Sequence, residues 1–275
     1  MKTSTFLALL IGLSGVQLAS AQQLKLSGMY IQWGYNREAY TRSTIHFKMS
    51  DGNNFYLHQA TAHDKPDFPA IYKVPTQITI PQYNYRIGFW IDKAQTLGLE
   101  LNFDHAKYVV TDGQVVHVTG VISDQQVDGD SVVNGAHFLH FEHTDGANWF
   151  HINLVRQVVL FQKKNGQGPL LTAMMKGGAG WNIPRTDFTW KGDRLNNKFH
   201  LAGYNFGVEG GLRIYPFKNW FFEWTGKTGY VRYINALVCT NHETGNRATH
   251  GFEYVETILT VGHTLHFHSS HTQGS

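Results

Sequence analysis

The chain has 275 residues, a formal net charge of +3, a single cysteine and 14% aromatic residues. The near-balanced charge excludes a nucleic-acid binder held by a basic face, and one cysteine excludes an internal disulfide framework. Beyond the N-terminal segment no stretch approaches the roughly 20 apolar residues that a membrane-spanning helix needs, so any membrane span here must be made of strands.

The first 21 residues read as an export signal. Lys2 supplies the positive start, Phe6 to Val16 the short apolar run, and Ala19-Ser20-Ala21 the small-residue cleavage site. Residues 22–267 then form one domain and 268–275 a polar tail. Glycine is abundant (28), proline scarce (7), and hydrophobicity alternates with period two. That texture suits strands with one apolar and one wet face. In an exported chain Cys239 is an unbridged loop thiol or an intermolecular partner.

The predicted strands follow in order. Leu26 to Tyr40 places Met29, Ile31, Trp33 and Tyr35 on one face and Tyr30, Gln32, Gly34 and Asn36 on the other. Ser43–Met49 and Asn54–Ala62 form a hairpin about Ser50-Asp51-Gly52-Asn53. Tyr83 to Ile91 and Leu97 to Asp104 flank a turn at Asp92-Lys93-Ala94-Gln95. Arg86, Glu100 and Asp104 then share the wet interior face. Residues 111–135 read as a long loop carrying a hairpin with a strand at Val115–Ile122. The segment 137–161 is too long for one membrane strand of about 9–11 residues, and its inner part starts at Trp149. Further strands are Leu170–Gly178, Lys198–Tyr215, Trp220–Tyr233 and Phe252–Phe267, with 179–197 and 234–251 as loops. Trp33, Tyr85, Trp90, Trp149, Trp220 and Trp224 suit an aromatic girdle at the membrane boundary. Short turns near Asp51, Asp92, Asn165 and Lys218 alternate with longer connections. The expected architecture is an all-β transmembrane antiparallel barrel of about ten strands (eight to twelve). It has short periplasmic turns, long outer loops and both termini periplasmic.

This topology carries the densest ionisable stretch, Phe141-Glu142-His143-Thr144-Asp145-Gly146, to the outer mouth. His63-Asp64, Asp104-His105 and Arg185 reach the same rim. A histidine beside a carboxylate is a general-base arrangement. Glu142 and His143 are adjacent on a strand and face opposite ways, so the productive pairs must be cross-strand, such as Asp104 with Glu142 or Asp145 with His63. Three uses are open. His143, Glu142, Asp145, Asp104 and His63 activate water or Thr144 for ester or amide hydrolysis. Alternatively the set, with His105 and Asp64, ligates a divalent cation, although the spacing fits no standard metal motif. Or there is no chemistry, and the charges line a wet lumen and solvated loops, as Arg86, Glu100, Glu209, Arg213, Glu223 and Lys227 are expected to do. The scattered His242, His250, His263, His266, His268 and His271 are read as loop and tail residues.

The segments Ile80-Pro81-Gln82-Tyr83-Asn84-Tyr85-Arg86-Ile87-Gly88, Asn102-Phe103-Asp104-His105-Ala106-Lys107-Tyr108-Val109 and Phe141 to Gly146 resemble a family of outer-membrane barrel proteins from Bacteroidota. The rim cluster is similar in kind to that of the omptin proteases, which are ten-stranded barrels with carboxylates and a His–Asp pair at the outer mouth. Lipid A deacylases of the PagL type carry His-x-Ser. Here Thr144 and Asp145 follow His143, so that pattern is not met. The chain is thus expected in the bacterial outer membrane, among lipid and lipopolysaccharide. It is either a surface hydrolase acting on lipopolysaccharide, lipid or peptide, or a non-catalytic barrel for binding, adhesion, structure or small-solute passage.

Overall fold

The computed structural model describes residues 26–74, 76, 78–164, 166, 168–240 and 245–267, with the side chains at 70 and 71 outside that description. The segment read as an export signal, the tail, Pro75, Asn165, His242, His268 and His271 lie outside the described residues.

The chain rises through β1 (Gly28–Tyr40), then forms β2 (Ser43–Lys48), β3 (Asn54–Ala60), β4 (Ala62–His63) and a short helix α1 (Pro69–Lys73). It descends through β5 (Tyr83–Trp90) and rises through β6 (Leu97–Asp104). A second excursion builds β7 (Tyr108–Val110), β8 (Val115–Ile122), β9 (Gln125–Val132) and β10 (Leu139–His143). β11 (Trp149–Gln162) descends and β12 (Pro169–Asn182) rises; β13 (Asp187–Trp190) and β14 (Asp193–Asn196) follow above. β15 (Gly203–Ile214) descends, β16 (Trp220–Leu237) rises and β17 (Arg247–His266) descends.

Eight of these strands close a ring: β1–β5–β6–β11–β12–β15–β16–β17 and back to β1, each pair antiparallel. Among the described residues the barrel therefore has eight strands, the lower end of the expected eight to twelve. The short connections β5–β6, β11–β12 and β15–β16 lie at the end where β1 begins and β17 stops. Long connections occupy the other end. The predicted faces hold around the ring. Ile31, Leu101, Ile152, Leu154, Val208, Trp224 and Leu259 project outward and are exposed, while Gln32, Asn84, Arg86, Glu100, Asn153, Glu209 and Lys227 are buried inside. Tyr85, Phe103, Phe150, Trp181 and Tyr204 run in register around the upper wall. Closure leaves the wall no unpaired edge, and an apolar outer belt with a polar interior is the only β arrangement a bilayer accepts. The wall is that of an integral transmembrane β-barrel. Among the described residues no helix is long and apolar enough to cross a membrane.

The interior is filled. Lys176 Nζ lies 2.7 Å from Glu223, 3.1 Å from Glu100 and 3.3 Å from Glu209. Arg86 lies 2.7 Å from Glu209 and 3.4 Å from Glu100. Arg213 is 2.7 Å from Glu223, and Lys227 is 2.5 Å from Asp104. An eight-stranded barrel is just wide enough for such side chains, which here pair across it.

Above the barrel the strands form a two-layer cap. β17 continues upward to pair with β2, and β2–β3–β8–β9 extends that sheet. β1 passes through β4 to β7, β10, β13 and β14 in the second sheet. The layers meet through Phe47 against Phe141 (5.5 Å) and Phe188 (5.6 Å), and Phe55 against Trp190 (5.2 Å).

Three expectations change, while the Val115–Ile122 hairpin stays above the barrel as a loop hairpin should. The hairpin 43–62 belongs to the cap, so its Asp51 turn is at the outer end, not the periplasmic one. β12, β16 and β17 run well past their predicted ends, so parts of 179–182, 234–237 and 247–251 are strand. Trp90 and Trp149 are not girdle residues: they sit inside, 1% and 0% exposed, because Phe89 and Phe150 take the outward positions beside them.

Candidate functional site at the outer rim

β10 supplies the core of the rim. Its alternation sends Phe141 and His143 into the cap core and His140 and Glu142 to the other side, as the strand parity predicts. The chain leaves β10 through Gly146, whose φ of 118° suits glycine, and a Cβ there would stand 2.2 Å from Asn148 Oδ1. Residues 144–148 thereby bend from cap strand to barrel strand.

The two sides have opposite electrostatics. Outward, His140 Nδ1 lies 2.9 Å from Asp112, His140 Nε2 lies 3.3 Å from Glu142, and the Thr144 hydroxyl donates to Glu142 at 2.6 Å. The bond to Glu142, with help from Asp112, lifts His140 to about 9. Burial pushes the Glu142 carboxyl up, but the bonds from His140 and Thr144 prevail and hold it at about 2. Inward, His143 Nε2 is 3.3 Å from His250 Nε2, and its Nδ1 is 3.0 Å from the Thr186 hydroxyl. Phe141, Tyr108 and Tyr233 surround this pair. Burial pulls His143 down to about 3 against the opposing field of Glu142.

The remaining predicted residues are dispersed. Asp104 faces the lumen, where Lys227 and Arg86 hold it, not Glu142. His63 is exposed on β4 with Nδ1 3.1 Å from Thr111, so it does not meet Asp145. Asp64 pairs with Arg37 at 2.6 Å. Asp145 pairs with Arg185 at 3.2 Å and accepts from Asn196 at 2.5 Å. His105 stacks on Tyr83 (4.6 Å) and reaches Asn148 at 2.9 Å; burial depresses its pKa against that bond. Among the described residues, no group of three or more His, Cys, Asp or Glu side chains is placed to hold a metal ion. His105 and Asp64, expected as ligands, sit in separate networks. Cys239 is buried beside Asn197.

Among the described residues of this rim, the contiguous chain of acid, base and hydroxyl is thus Asp112–His140–Glu142–Thr144. A general base must accept a proton near its working pH. At neutral pH His140 already carries its proton and Glu142 is a very weak base, so the chain is an ion-pair ladder rather than an activated nucleophile. His140 was legible in the sequence, two residues before Glu142 on the same strand face. Asp112, Thr186 and His250 reach the site only through the cap's long-range pairing.

Thr144 and Asp145 also border a cleft between the 64–82 and 183–202 connections, lined by Lys65, Lys107, Arg185, Ile80 and Phe199 and about 430 Å³ in volume.

No family model matches the chain, and no curated protein matches it. Solved structures of similar fold include Ail, the attachment invasion locus protein of Yersinia pestis (8% identity, 88% of this chain and 100% of that chain, TM-score 0.36). The outer membrane protein OprG from Pseudomonas aeruginosa aligns at 13% identity, 88% and 98% coverage and a TM-score of 0.41. The outer membrane protease OmpT from Escherichia coli aligns at 10% identity, 89% and 98% coverage and a TM-score of 0.38.

Proposed function

We propose that the protein is a non-catalytic outer-membrane barrel that uses its folded cap as an outward binding surface, in the manner of an adhesin. The observation that carries this reading is the division of labour between the two halves. The lumen is closed by fully buried ion pairs, which argues against solute passage. Asp112, His140, Glu142 and Thr144 form an ion-pair ladder around a protonated histidine, and His63, Asp64, Asp104, His105 and Asp145 sit in separate networks, which argues against a hydrolytic centre.

The cap's outer sheet carries its own surface chemistry. His46 stacks on Tyr56 at 4.2 Å, His58 lies 5.7 Å from His117, and His117 is 3.0 Å from Asp128 and 3.2 Å from Asp130. A row of ring faces bordered by carboxylates offers apolar area and hydrogen-bond acceptors together. The resemblance of three segments to Bacteroidota barrels is consistent with such an envelope role.

The test compares cells displaying the protein with cells lacking it. Adherence to polysaccharide-coated surfaces is expected to rise and to fall again in a Tyr56→Ala/His117→Ala variant. Lipid A and surface-peptide mass spectra are expected to be unchanged. Deacylated lipid A or cleaved peptides that vanish in Glu142→Gln would overturn the reading in favour of the hydrolase.

A further inference from the structure

We propose that the cleft between the 64–82 and 183–202 connections binds the phosphorylated headgroup of an outer-leaflet lipid. This goes beyond the adhesive role and does not depend on it.

The cleft is amphipathic in the direction a bilayer demands. It joins the barrel wall through His105, which lines the cleft and stacks on Tyr83 at 4.6 Å; the aromatic row of that wall continues from there, with Phe103 4.9 Å from Phe150 and Phe150 5.9 Å from Trp181. The 64–82 connection folds back onto that wall, since Phe68 packs on Tyr35 at 5.5 Å and the Tyr35 hydroxyl donates to the Ile78 carbonyl at 3.2 Å. Of its lining, Ile80 and Phe199 are apolar and exposed, and Ile78 and Leu201, two residues away on the same connections, are exposed as well. The apolar belt is therefore continuous with the lower lips of the cleft, and acyl chains are its natural neighbours there.

The upper part is cationic. Lys65, Lys107 and Arg185 face Asp67 and Asp145 across it. Lys107 Nζ donates to Asp67 and to the Ile80 carbonyl, both at 2.7 Å, and an ammonium has three donors. Arg185 donates Nε to the Asn197 carbonyl at 2.9 Å and pairs Nη1 with Asp145 at 3.2 Å, leaving the remainder of its five donors available. Among the described residues Lys65 makes no salt bridge, although its charge helps to hold Glu142 ionised behind Thr144, and the lining itself sets three cations against two carboxylates. Spare charged donors at the level of lipid headgroups, above an apolar wall, suit a phosphate monoester carried on acyl chains.

The test uses the full-length barrel purified in detergent and native mass spectrometry. The probes are bis-phosphorylated lipid A, the same lipid without its phosphates, and inorganic phosphate. The wild type is expected to retain the phosphorylated lipid about tenfold more than the dephosphorylated one, the scale of one charge-assisted hydrogen bond. Lys65→Gln/Arg185→Gln is expected to remove that preference while keeping the heat-modifiable migration of a folded barrel. Lys218→Gln, at the periplasmic end, is expected to keep it. Equal retention of the two lipids, or a preference that survives the double substitution, would overturn the proposal. So would full displacement of the lipid by millimolar inorganic phosphate, which would make soluble phosphate the ligand.

Discussion

His143 shows how burial decides the role of a single residue. Its side chain is 0% exposed and shares a hydrogen bond with another imidazole inside an aromatic cage, so it is held neutral. An unfolded histidine titrates near 6.5, and the folded one near 3. The folded state therefore binds fewer protons below pH 6.5. The stabilisation is complete above that pH and is lost as the pH falls toward 3, by up to about 1.4 kcal/mol per unit. Hydrogen exchange of cap amides is expected to show weaker protection at pH 5 than at pH 7. A His143→Phe/His250→Phe variant should lose less protection on that step, and an undiminished loss would show that other groups set the acid response. From sequence, His143 read as a rim base because its neighbours Glu142, Thr144 and Asp145 are polar. Parity placed it on the opposite face from Glu142, but only the pairing of β10 with β7 and β13 shows that this face is a core rather than a wet lumen.

The same ambiguity operates on whole elements. In β5 the residues pointing inward are Asn84 and Arg86 and those pointing outward are Tyr85 and Ile87; in β2 Ile45 and Phe47 point inward and His46 and Lys48 outward. Period-two alternation is identical in both, because exchanging inside for outside leaves it unchanged. That is why the 43–62 hairpin read as membrane strands and the expected count centred on ten within a range of eight to twelve. Most strands that truly cross were legible, since their outward residues are mainly Leu, Ile, Val or aromatic; β12, which presents Ala173, Met175, Gly177 and Ala179, read as a weak strand for want of that signal. The ring's packing also uses glycines in a way sequence does not announce. A Cβ on Gly88 would stand 2.0 Å from the Tyr30 ring, which lies in the space the glycine leaves and donates to Glu100 at 2.7 Å. Gly88→Ala is expected to cost about 1–3 kcal/mol by forcing Tyr30 off its seat, lowering the urea midpoint of the folded barrel in detergent. An unchanged midpoint would mean that Tyr30 has another seat. Tyr30→Ala combined with Gly88→Ala should then cost less than the sum of the two single changes.

At the scale of the molecule, the barrel is organised around a buried cation with three acidic neighbours. Lys176 touches Glu100, Glu209 and Glu223, which are themselves shared with Arg86 and Arg213. Removing one partner from a buried ionic network leaves uncompensated charge, at a cost of about 3–5 kcal/mol, far above the return from an exposed pair. Lys176→Met is therefore expected to shift urea unfolding strongly downward and to lower the temperature at which the band changes mobility in electrophoresis. Lys176→Gln/Glu223→Gln, which removes a cation with one of its carboxylates, should recover part of the loss. Because the seal is made of several pairs at successive levels, the weakened variant should still show no ion conductance in planar bilayers while it remains folded. Conductance appearing with Lys176→Met alone would mean that one residue closes the lumen, and would bring solute passage back as a role for this barrel. Silence together with lowered stability fits a plug that serves the fold, leaving the cap and its rim as the surfaces that meet the outside.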